Sequence, residues 1–134
     1  MKLTVLGVYK DLGLLLMRAG LGICFGLHGY PKLAGGQALW ADLGAAIGAL
    51  GIGFGHTLWG LAAALTEFAG GILVILGFYF RPAVLLLTVT MLVALNLHLT
   101  RGDAFVTYSH ALELAFVFAG LLFVGPGRLS VDRA

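Results

Sequence analysis

Residues 57–80 read TLWGLAAALTEFAGGILVILGFYF, and in that stretch only Glu67 carries a charge. About 20 predominantly apolar residues suffice for a helix to cross the hydrocarbon core of a bilayer. The stretch therefore predicts a membrane-spanning helix with one carboxyl near its middle. Ionisable groups in lipid are costly, so they usually face a bundle interior or a wet cavity and mark function.

Three further runs have the same character, at 11–32, 82–100 and 107–124. The breaks between them are chemically clear. Tyr30-Pro31-Lys32 is expected to end the first run, and Arg81-Pro82 separates the second from the third. Proline suits a helix start, where its missing N–H costs nothing. Arg101-Gly102-Asp103 precedes the fourth run, and Gly125-Pro126-Gly127 ends it. The segment between the first two runs is rich in Gly and Ala, with Leu39, Leu43, Ile47 and Leu50 at helical spacing beside Trp40. It predicts a short amphipathic helix near the interface, where Trp prefers to sit, or else a re-entrant segment. The expected fold is all-α, one domain over residues 1–134, built as an integral membrane four-helix bundle.

Composition agrees. Hydrophobic residues make up 60% of the chain and charged residues 10%, with mean hydropathy +1.04. Soluble domains carry about 25% charged residues, and a soluble fold of this chain would expose a very large apolar area. A net charge of +2 without a basic block argues against nucleic acid as a partner. Cys24 is the only cysteine, which rules out an internal disulfide or a cysteine metal cluster. Lys2 and Lys10 precede an apolar run as in a signal peptide, but the run continues through Arg18 and His28 with no small-x-small cleavage site.

Four spans put both termini on one side. That side carries Lys2, Lys10, Arg81, Arg128 and Arg133, against Lys32 and Arg101 on the other. The excess of positive charge predicts cytoplasmic termini. Gly22 and Gly26 form a GxxxG, and Gly70, Gly71 and Gly77 punctuate the second span. Small residues at such positions let helices approach closely in lipid.

The candidate site follows from depth. At a rise of ~1.5 Å per residue, Glu67, Asn96 and Glu113 fall at one level, with His28, His98 and His110 slightly farther out. Convergence of four helices on one polar band predicts a pocket in the outer half of the membrane. Glu67, His98 and Glu113 are the candidate catalytic residues. His28, Asn96, His110, Arg18 and Lys32 are the candidate binding residues. Arg18, deeper toward the termini, is expected to pair with Glu67 or else to snorkel to the headgroups. A carboxylate di-iron site needs Glu-x-x-His twice, and the chain has one reversed copy, His110-Ala-Leu-Glu113, so a metal is disfavoured. A quinone asks for less: an apolar slot, hydrogen-bond donors for its carbonyls and a proton source. A glutamic acid in low dielectric can carry that proton.

With these residues in hand, the chain resembles the DoxX family of small bacterial four-helix membrane proteins, which includes relatives of the thiosulfate:quinone oxidoreductase membrane subunit. The likeness rests on Arg18, on Phe25-Gly-Leu-His28-Gly-Tyr-Pro-Lys32-Leu33, on Glu67-Phe-Ala-Gly70-Gly71, on Leu76-Gly77 with Arg81-Pro82, and on Glu113. Its most specific piece is the tail Gly125-Pro126-Gly127-Arg128-Leu129-Ser130-Val131-Asp132, where Leu129 replaces the family's usual aromatic. The resemblance implies a bacterial inner-membrane protein with a redox association, often working with a second subunit. Three roles are in play: a quinone-linked oxidoreductase subunit, a non-catalytic membrane partner for a soluble redox enzyme, and a small transporter, which would need a homo-oligomer to form a pathway.

Overall fold

The computed structural model describes residues 3–133; Lys2, counted in the charge balance, lies outside them. A 3-10 run over Leu3–Tyr9 leads into α1 (Lys10–Ala34). A short helix α2 (Gly36–Gly44) and a second 3-10 run (Ala45–Leu50) follow, and then α3 (His56–Leu76), α4 (Phe80–Arg101) and α5 (Phe105–Val124). Four helices are long and apolar enough to cross a membrane, the first of them counted from Leu3 to Ala34. The all-α membrane bundle is thus the observed architecture.

The first span does not stop at Tyr30-Pro31-Lys32. It runs through Pro31 to Ala34; the proline forfeits one bond of the ladder, to the Leu27 carbonyl, and the helix continues for about one more turn. The break comes at Gly36, whose φ of +82° suits glycine. The Trp40 indole Nε1 donates to the Lys32 carbonyl at 3.0 Å, satisfying one of the orphan acceptors at the α1 terminus.

The expected amphipathic segment is α2, and it lies against the first turns of α3. A Cβ on Gly44 would collide with the His56 carbonyl, and one on Gly60 with the Trp40 carbonyl. Residues 40 and 44 thus meet 60 and 56, so α2 runs opposite to α3 and carries on where α1 left off. Together α1 and α2 line α3 along its length. The 3-10 run Ala45–Leu50 then crosses to pack on α4.

Small residues set the α1–α3 approach, with one revision of the expected pair. Gly22 and Gly29 are the buried positions against α3: added Cβ atoms would meet Gly71 and Ile75 at the first and Phe68 and Glu67 at the second. Gly26 itself has open space around its Cβ position, and Gly71 opposite does not, since its Cβ would lie 2.8 Å from the Gly26 nitrogen. Phe25, Val74, Phe80, Val84, Leu87, Met91, Ala115 and Phe118 form the buried core shared by the four long helices. Many Leu, Val and Phe side chains remain exposed on the outside, as lipid-facing helices require.

The α1 and α5 backbones stay apart, and their seam is bridged by side chains instead. Phe25 and Phe118 meet there edge to face, with ring centroids 5.0 Å apart.

Candidate functional site

Side-chain reach from one flank of α1 decides which polar groups meet. Gly29 packs on α3, and His28 and Lys32, four residues apart, lie within about 40° of each other beside it; the long Lys32 side chain reaches α3 while the His28 ring reaches α5. The Lys32 ammonium accordingly reaches the Glu67 carboxylate, with Nζ 2.7 Å from Oε2 and 3.0 Å from Oε1. Glu67 is buried, its side chain 8% exposed, while Lys32 remains 35% exposed. The pair joins α1 to α3 partway along the spans.

This corrects the expected Arg18–Glu67 pair. Because α1 and α3 are antiparallel, Arg18 lies opposite Ile75, eight residues beyond Glu67 along α3 and so ~12 Å away along its axis. The fully buried Arg18 donates from Nη1 to the Ile75 carbonyl at 3.2 Å and from Nη2 to the Leu129 carbonyl. Its Nε is buried without a partner among the described residues. Arg18 therefore belongs to the junction of α1, α3 and the C-terminal tail, and stands apart from the outer polar groups.

That junction is the feature the sequence reading missed. The tail folds back over the terminal side of the bundle. Val131 and Asp132 donate backbone N–H groups to the Leu76 and Gly77 carbonyls at 3.1 and 2.9 Å. The Asp132 carboxylate accepts from the backbone N–H of Tyr79 and Phe80 at 3.1 and 2.8 Å, capping the start of α4. The Asp11 carboxylate accepts from the Arg128 backbone N–H at 3.0 Å. The signal was present in the tail's Gly-Pro-Gly start and its Asp132, but nothing in the spacing said where the segment would land.

On the opposite side, the single polar layer resolves into separate pairs. The His28 and His110 rings face one another across the α1–α5 seam, with centroids 6.4 Å apart and planes 58° from parallel. Both are exposed at the seam, outward from the Phe25–Phe118 contact, His28 by about one turn of α1 and His110 by about two turns of α5. Glu113 lies one turn inward from His110 and is exposed. The buried face of α5 is carried by Ala111, Ala115 and Phe118, which turns Glu113 away from the core.

His98 makes a different pair, with Nδ1 2.7 Å from Asp103 Oδ2. The α4 terminus explains it. Gly102 takes φ +73°, and the Asp103 N–H returns to the His98 carbonyl at 3.0 Å, the closing bond of a Schellman motif. Asp103 is thereby brought beside the His98 ring. Asn96 Nδ2 and His56 Nε2 are buried without a hydrogen-bond partner among the described residues. No group of three His, Cys, Asp or Glu side chains gathers closely enough among those residues to hold a metal ion.

A cavity of about 370 Å³ between α3 and α4 is lined by Leu65, Thr66, Ala69, Gly70, Pro82 and Leu86 among others. None of the candidate ionisable residues borders it. The chemistry and this groove lie on different faces of the bundle.

Four apolar helices, buried ionisable groups and glycine-mediated helix contacts define a multi-pass helical membrane protein. The family model described as DoxX matches residues 13–100. The chain belongs to the DoxX family. No curated protein matches it, and neither does any solved structure. The matched residues take in most of α1 and α4 and all of α2 and α3, so Arg18, His28, Lys32, Glu67, Asn96 and His98 fall inside them. His110, Glu113 and the Gly-Pro-Gly tail lie beyond.

Proposed function

We propose that this protein is a redox-associated membrane subunit that binds a quinone-type ring in the outer half of the α1–α5 seam. The observation that carries this reading is the pair of facing imidazoles, His28 and His110, above the Phe25–Phe118 contact. A quinone ring needs an apolar bed and a donor for each carbonyl oxygen. Phe25 and Phe118 offer the first, and the two imidazole N–H groups the second. His28 and His110 are exposed at the seam, so a lipid-soluble ligand can reach them from the bilayer.

Reduction of a quinone to a quinol takes up two electrons and two protons. The electrons come from a donor on a partner subunit, and His28, His110 and Glu113 can relay the protons. The part-buried Lys32–Glu67 pair, one turn farther along the same flank of α1, holds α1 against α3 and so fixes the angle at which His28 is presented. His98 and Asp103 stand at the outer end, where a partner would dock. Lys10, Arg81, Arg128 and Arg133 on the terminal side set the termini in the cytoplasm of a bacterial inner membrane by the positive-inside rule.

The test is photolabelling of the purified protein in nanodiscs with an azidoquinone. Labelled peptides are expected from α1 and α5, and His28→Ala with His110→Ala should lower labelling roughly tenfold, the loss of two hydrogen bonds at about 0.5–1.5 kcal/mol each. Labelling that maps to the α3–α4 groove, or that survives the double substitution, would refute the site. Unfolding temperatures measured alongside separate a binding defect from a folding defect.

A further inference from the structure

A second cavity, of about 490 Å³, opens at the terminal end of the same seam, lined by Lys10, Asp11, Leu14, Val124, Gly127 and Arg128. It lies where α1 begins and α5 ends, which is headgroup depth for helices that just span the ~30 Å hydrocarbon core. Its lining is divided by chemistry. Leu14, on α1, and Val124, on α5, form its apolar wall. Lys10 and Arg128 stand at the rim, both exposed.

The two cations are not spent on internal ion pairs. The salt bridges among the described residues are Lys32–Glu67 and His98–Asp103. Asp11 is the one carboxylate in the lining, and it is committed to the Arg128 backbone N–H at 3.0 Å. That bond pins the tail so that the Arg128 side chain stands beside Lys10 at the cavity mouth. A mouth with net positive charge above an apolar wall matches a phosphodiester joined to an acyl chain. Lys and Arg near an anionic bilayer surface contribute about 1 kcal/mol each, and a fork-shaped guanidinium suits phosphate oxygens.

We propose that this cavity is a binding site for the headgroup of an anionic phospholipid, with one acyl chain laid along Leu14 and Val124 into the α1–α5 seam. The site is independent of the quinone reading, since it rests on the opposite end of the seam and on other residues. An occupied site would fill the gap that the two backbones leave on the terminal side, below the Phe25–Phe118 contact.

Native mass spectrometry tests it on the full chain in mild detergent, with phosphatidylglycerol and phosphatidylcholine of identical acyl chains in competition. The wild type is expected to retain phosphatidylglycerol preferentially. The double variant Lys10→Gln with Arg128→Gln should lose roughly tenfold or more of that preference, while Arg133→Gln, on the same side but outside the cavity, should keep it. Should the double variant fail to fold, Val124→Phe narrows the apolar wall with both cations intact and is expected to weaken retention. Equal retention of the two lipids by the wild type overturns the proposal, as does an unchanged preference in the double variant or unchanged retention in Val124→Phe. Full displacement of the lipid by millimolar inorganic phosphate also overturns it, because the ligand would then be a free anion.

Discussion

The two ends of this bundle treat polar groups in opposite ways. On the terminal side, Arg18, Asp11 and Asp132 are tied to backbone groups of other segments, and the result is a knot joining α1, α3, α4 and the tail. On the outer side, Lys32–Glu67, His28–His110 and His98–Asp103 stand apart from one another as isolated pairs; among the described residues buried nitrogens without a partner occur at both ends, Asn96 Nδ2 and His56 Nε2 here and Arg18 Nε there. A buried polar group that meets backbone carbonyls and amides rigidifies a fold. One that meets a single exposed or part-buried neighbour keeps hydrogen-bonding capacity for a ligand. Polar and charged side chains thus act as fasteners at one end and as a candidate site at the other.

The comparison breaks first at Arg18. Replacing it with Ala removes two hydrogen bonds to carbonyls in a low-dielectric setting and leaves a cavity, so the unfolding midpoint in detergent should fall by the equivalent of about 3 kcal/mol or more. Arg18→Lys, with a single ammonium unable to span both carbonyls, should fall between. A loss no larger than that of a lipid-facing substitution would mean that the terminal end is not fastened through this side chain.

The Lys32–Glu67 pair sharpens the contrast. Lys32→Met or Glu67→Leu alone strands one charge and should cost about 1–3 kcal/mol, reduced from a fully buried pair because Lys32 is partly exposed. The double substitution should recover part of that loss, which a double-mutant cycle on thermal stability measures. Additive losses in the cycle would show that the two groups do not depend on each other.

The smallest effect is at the α3–α4 corner. Tyr79 adopts φ +43°, ψ +41°, a left-handed conformation in a residue with a side chain, and the Asp132 carboxylate holds its N–H. Tyr79→Gly relieves that strain but loses the edge contact with Phe78, whose ring centroid is 4.7 Å away. The balance is an expected gain of about 0.5 kcal/mol in detergent stability. A loss instead would show that the aromatic contact, and not the backbone, governs the corner.

Much of the fold was legible. The spans could be read from runs of apolar residues because lipid leaves no other way to satisfy the backbone. The breaks at Gly102 and Gly125 followed from glycine chemistry. Pro31 misled because its effect depends on how much helix remains beyond it. The site was legible in part: counting along helices gives depth, and depth placed the outer polar residues in one band. It does not give direction. Glu67 and His28 lie at similar depth on different helices, yet one meets Lys32 and the other His110, because the partner a side chain reaches depends on how the helices pack side by side.

The sequence by itself determined the class of solvent, the number of crossings and which scarce residues had to be accounted for, since those depend on composition and period alone. Only the tertiary structure decided the partners. Arg18 found the tail and Lys32 found Glu67 because glycines at positions 22, 29 and 71 fix how α1 and α3 slide against each other. That register is set by close packing between distant segments, which no local pattern encodes.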